Sequence, residues 1–90
     1  MSNYTKTIQA VSSDGTVLDE RSAETPAGAR RSLLAMIDRH CTPGWVDGVS
    51  QQVAESAAAH WDGRSDFKAV VGSWNRTGSV IFHACERDRP

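Results

Sequence analysis

His40, Cys41, His83 and Cys85 are the residues whose types most invite chemistry, because two imidazoles and two thiols make a donor set that zinc accepts. Their spacing speaks against it. Neighbours on a helix diverge by about 100°, so His40 and Cys41 do not converge on one ion, and no Cys-x-x-Cys or His-x-x-x-His clip occurs. As a nucleophile Cys41 has a histidine beside it, yet it falls at the expected C-terminus of a helix, where the negative dipole end opposes a thiolate. His40 reads there as a cap matched to the dipole. Ser73 and Ser79 lack a strained elbow, an acid–histidine pair or an oxyanion loop, and Gly72-Ser73-Trp74 is not the esterase motif. The seven glycines are scattered, with no phosphate-cradling loop and no dinucleotide fingerprint. The sequence therefore predicts a protein that is not an enzyme and has no catalytic, cofactor-binding or metal-ligating residue; no known family is evoked by these patterns.

The elements around these residues can be placed from periodicity and turn chemistry. Lys6 to Val11 alternates polar and apolar, Ser12-Ser13-Asp14-Gly15 supplies a turn, and Thr16-Val17-Leu18 resumes a β-favouring run. A three-residue loop Ser13-Asp14-Gly15, with Gly15 at positive φ, pairs Ala10 with Leu18 and sets Ile8 on their face, whereas a two-residue Asp14-Gly15 turn mixes the faces. Thr25-Pro26 starts a helix, since Thr caps free amides and Pro needs no donor at the first position. That helix runs to about Cys41, with Leu33, Leu34, Ile37 and Cys41 inward and Arg31, Ala35 and Asp38 outward; Thr42-Pro43-Gly44 ends it. A second periodic stretch places Val46, Val49, Val53, Ala57 and His60 inward and Gln51, Glu55 and Ala58 outward. Trp45 and Trp61 bracket this helix and are expected to seal its ends. Phe67 to Trp74 and Ser79 to Glu86 then read as strands around Asn75-Arg76-Thr77-Gly78.

The order β-β-α-α-β-β predicts an α+β fold: a small antiparallel sheet of two hairpins with both helices on one face. Residues 1–90 form one domain, with frayed ends at about 1–3 and 87–90.

A loop of two or four residues in the second hairpin aligns Trp74 with Ser79, Gly72 with Ile81 and Val70 with His83. Phe67, Ala69, Val71, Val80, Phe82 and Ala84 then face the helices, while Trp74, Val70, Ile81, His83 and Cys85 share the opposite face. A sheet covered on one side should be polar on the other, so an apolar group of this size suggests a partner. Trp74, Val70, Ile81 and His83 are the expected interaction surface.

Composition narrows the function classes. With 39% hydrophobic and 23% charged residues the chain is folded rather than disordered, and a net charge of -1 supplies no field that draws it to nucleic acid. No run approaches the roughly 18 apolar residues of a membrane span, and Met1 is followed by polar residues rather than a signal core, which points to the cytoplasm. Two cysteines are too few for a disulfide framework and are expected reduced. The arginine and alanine bias suggests GC-rich coding sequence, hence a high-GC bacterium, its phage or another mobile element. The expected function is a small non-catalytic protein–protein interaction module, a regulator, inhibitor or assembly component, acting as a homodimer or on a protein partner. The alternatives are a nucleic-acid-associated accessory protein using Arg30, Arg31, Arg39, Arg76, Arg87 and Arg89, and a small enzyme with an unrecognised site.

Overall fold

The computed structural model describes residues 5–41, 44–73 and 78–86, with Glu86 described by its backbone alone. Six elements follow in order: β1 (Lys6–Ser12), β2 (Val17–Ala23), α1 (Pro26–His40), α2 (Gly48–His60), β3 (Phe67–Gly72) and β4 (Ser79–Glu86). The strands form one antiparallel sheet in the order β2-β1-β4-β3, so the first and last strands meet at its centre. This is the α+β arrangement expected from the sequence. Both helices pack on one face, where Ile8, Ala10, Val71, Val80, Phe82 and Ala84 from the sheet join Ala29, Leu33, Met36 and Ile37 of α1 and Ala54 and Ala58 of α2 in one buried core. The expected ends at residues 1–3 and 87–90 lie outside the described residues.

The first hairpin closes as its turn residues require. Ser12 N–H donates to Thr16 at 2.8 Å and Gly15 N–H donates to Ser12 at 2.9 Å, with Gly15 at φ 93°, which leaves Ser13-Asp14-Gly15 as the loop. Asp14 fastens it by accepting from Thr16 N–H at 2.9 Å and from the Ser12 hydroxyl. Beyond the turn a β-bulge intervenes: Val11 pairs with Val17, but Ala10 pairs with Asp19, so the expected Ala10–Leu18 pairing does not form. Leu18 is the extra residue and is left 44% exposed.

Thr25 caps α1, its hydroxyl accepting from Gly28 N–H at 3.0 Å with Pro26 next in the first turn. Leu33, Ile37 and Cys41 are buried and Leu34 partly so, as the spacing implies; Ala29 and Met36 complete the inward stripe.

The second helix presents the other side from the one its larger residues suggested. Ala54 and Ala58 are buried, whereas Val49 and Val53 are 69% and 64% exposed and Ala57 and His60 are also outward. Gln51 and Glu55, expected in solvent, are half-buried and bonded to each other at 2.9 Å. The flanks decide this orientation. Val46, just ahead of the helix, is buried and bridges to Ser73, and Trp61, just after it, is buried against Phe67 with ring centroids 5.6 Å apart. Trp61 Nε1 donates to the Ser65 carbonyl at 2.8 Å, and Arg30 donates to the Trp61 carbonyl at 3.1 Å, tying α1 to the end of α2. With both ends held this way, the side of α2 turned to α1 and β3 is the one that carries Ala54 and Ala58. Trp45 is 38% exposed and does not seal the core; Val46 takes that place.

In the second hairpin Ser73 N–H donates to Gly78 at 2.9 Å, and Gly72, Val70 and Lys68 pair with Ser79, Ile81 and His83. The register is thus two residues from the expected one, with Ser73 and Gly78 bonded at the end of the described ladder. An even slip leaves each described side chain on its expected face. Phe67, Val71, Val80, Phe82 and Ala84 are buried toward the helices, with Ala69 packed against them.

Candidate functional site: the outer face of the sheet

Each strand alternates, so the residues between the buried ones line the face away from the helices. In strand order β2, β1, β4, β3 they form rows set by the pairing. One row is Val17, Val11, Ile81, Val70; the next is Glu20, Gln9, His83, Lys68; a third begins Ser22, Thr7, Cys85. The first row is apolar across all four strands, with Val17 and Val70 about half exposed and Val11 and Ile81 half-buried. The second is polar throughout, acidic at the β2 edge and basic at the β3 edge. Gln9 donates to Glu20 at 2.7 Å within it. Between β1, β4 and β3 the surface dips into an open hollow of about 420 Å³ lined by Val11, Ile81, His83 and Lys68 among others.

Of the four residues expected to form an interaction surface, Val70 and Ile81 are direct cross-strand partners and His83 lies in the adjoining row. Trp74 lies outside the described residues. Val11, Val17, Gln9 and Glu20 belong to the same face and were not singled out, since their place depends on β1 lying beside β4. Neither hairpin alone signals that neighbour. Lys68 shares the face through its pairing with His83 in the second hairpin and is polar, so the apolar pattern passed over it.

The other candidate chemistry is dispersed. Cys41 is buried at the C-terminal end of α1, and burial pushes its thiol up to about 11, with Glu55 and Asp38 adding to the rise. Cys85 is exposed on the outer face beside the strand position of His83, while His40 is turned to β2, 3.1 Å from the Asp19 carboxylate. The hydrogen bond from His40 holds the Asp19 carboxyl below its usual range. His40, Cys41, His83 and Cys85 therefore lie on both sides of the sheet. Among the described residues no three His, Cys, Asp or Glu side chains gather at one point.

Of the arginines, Arg30 is committed to the Trp61 carbonyl and Arg21 lies 3.9 Å from Asp19. Arg31 and Arg39 are exposed on α1, and Arg76, Arg87 and Arg89 lie outside the described residues. A second apolar patch, Val49 and Val53 on the outward side of α2, belongs to the helical layer rather than the outer face. No described helix is long and apolar enough to cross a membrane. The chain matches no family profile, no curated protein and no solved structure.

Proposed function

We propose that this protein is a small binding module of the cytoplasm, a regulator, inhibitor or assembly component that performs no chemistry of its own and works through the outer face of its sheet. The supporting observation is the row Val17–Val11–Ile81–Val70. An antiparallel sheet with helices on one side alternates to a polar opposite side when that side faces water, and here a continuous apolar band crosses all four strands instead. Beside the band, Glu20, Gln9, His83 and Lys68 supply the polar flank that interfaces use for register.

Affinity isolation of tagged protein from the cells that encode it, compared with Val70→Asp, tests this. Val70 is half exposed on the edge strand β3, so the charge is tolerated by the fold and placed at one end of the apolar row. Loss of a stoichiometric companion, untagged copies of this chain included, is the expected result. An identical set of companions for both proteins overturns the proposal, and loss in Val53→Lys alone moves the binding surface to α2.

A further inference from the structure

Resting on that surface, we infer that its occupant is a second copy of this chain, stacked face to face about a twofold axis that runs parallel to the strands. The rows themselves carry the inference. An in-plane axis along the strands reverses strand order but leaves the level along each strand unchanged, so every row meets its own reverse. The apolar row then sets Val17 on the partner's Val70 and Val11 on the partner's Ile81. The polar row sets Glu20 on the partner's Lys68 and Gln9 on the partner's His83. Both edges of the row thus match acid to base, twice per dimer. An axis across the strands at the level of Gln9, the one that keeps all three rows in contact, instead lays the apolar row over Ser22–Thr7–Cys85 and sets Glu20 on the partner's Glu20 and Lys68 on the partner's Lys68.

The size of the face sets the strength. Four strands about 4.8 Å apart and about six residues long give a footprint of about 300–400 Å² per copy, below the size of stable specific interfaces, so a weak, transient dimer with a constant of tens to hundreds of micromolar is expected.

The geometry also fixes where the exposed thiol goes. Cys85 on β4 faces the partner's Thr7, one strand away from the partner's Cys85. With sheets about 10 Å apart and strands about 4.8 Å apart, the two Cys85 Cα atoms lie about 11 Å from each other. That is beyond the roughly 7 Å limit for a disulfide. A bis-maleimide spanning about 8 Å bridges the inward-leaning thiols, and Cys41 is too buried to compete.

The test is sedimentation velocity at about 10–500 μM, the range that brackets a micromolar constant, on the wild type, Glu20→Lys, Lys68→Glu and the double exchange, with short bis-maleimide cross-linking of each protein and of Cys85→Ser. Each single reversal converts two attractive pairs to two repulsive ones and weakens association about tenfold or more, and the double exchange restores it to within about threefold. Cross-linked dimer follows the same order and vanishes in Cys85→Ser. A wild type monomeric at the highest concentration, or a double exchange no better than the singles, overturns the second-copy inference. The outcome is separable from the binding-surface proposal. If Val70→Asp abolishes association while the charge exchange fails to rescue, the face binds in another way; if Val70→Asp leaves all association intact, the face itself is wrong.

Discussion

The orientation of α2 is open to a direct perturbation, because two stripes of the same helix compete to face the core. Ala58 is fully buried where α2 approaches α1 and β3, and Val53 is 64% exposed. Ala58→Leu forces three extra carbons into a packed contact and costs about 1–3 kcal/mol. A domain of this size shifts its Tm by about 4–8 °C per kcal/mol, so the melting point should fall by about 4–24 °C. Val53→Lys places a good helix former in water and should change stability by no more than about 0.5 kcal/mol. Total stability of about 5–13 kcal/mol for a chain of this length leaves both variants folded. Urea and thermal melts followed by circular dichroism measure both. The reverse order, with Val53→Lys strongly destabilised and Ala58→Leu tolerated, would refute the placement and turn the helix by about 100–140° about its axis.

Thr25→Ala removes the acceptor of the Gly28 amide and should lower stability by about 0.5–2 kcal/mol in a denaturant titration; an unchanged midpoint means the cap is idle. Gly63→Ala should be worse than Gly15→Ala, although both glycines have positive φ. A Cβ at Gly63 meets Pro26 Cβ at 2.7 Å and its backbone at 2.8 Å, whereas one at Gly15 meets nothing within 4 Å. The Gly15 change carries only the left-handed penalty of about 1–2 kcal/mol, and equal losses in the two melts count against the tight Gly63–Pro26 approach. Acid should also tell. Hydrogen bonds from Ser12 and Thr16 hold Asp14 at about 2, and those from Ser65 and Arg64 hold Asp62 at about 2. Both are depressed below their unfolded value of about 3.9, so their stabilisation is complete above that pH and is lost as pH falls through about 2. Tm measured from pH 5 to pH 2 should decline, and less steeply in Asp62→Asn.

How far the sequence disclosed the molecule depended on which signal each element carried. Period-two alternation in Phe67–Val71 and Val80–Ala84 assigned both faces of the second hairpin correctly despite a two-residue register error, because even slips preserve faces. Thr25-Pro26 and Ser13-Asp14-Gly15 each name a local geometry with little competition, and both elements begin where those residues place them. The bulge at Leu18 has no comparable local signature. On α2 the valine stripe looked like the core because valine carries more apolar area than alanine. Burial went to Ala54 and Ala58 because Val46 and Trp61 anchor the flanks, a long-range fact. The outer face was half legible for a similar reason. Val70, Ile81, His83 and Lys68 follow from one hairpin, whereas Val11, Val17, Gln9 and Glu20 join them only when β1 is set beside β4.

The most direct measurement is a map of amide chemical shifts from dilute to concentrated protein, because it locates the contact without altering a residue. If the outer face is the binding surface and a second copy its occupant, concentration-dependent shifts should gather at Val17, Val11, Ile81 and Val70 and at Glu20, Gln9, His83 and Lys68, with Val49 and Val53 unmoved. Shifts confined to Val49, Val53 and their neighbours on α2, with the outer face silent, would contradict it.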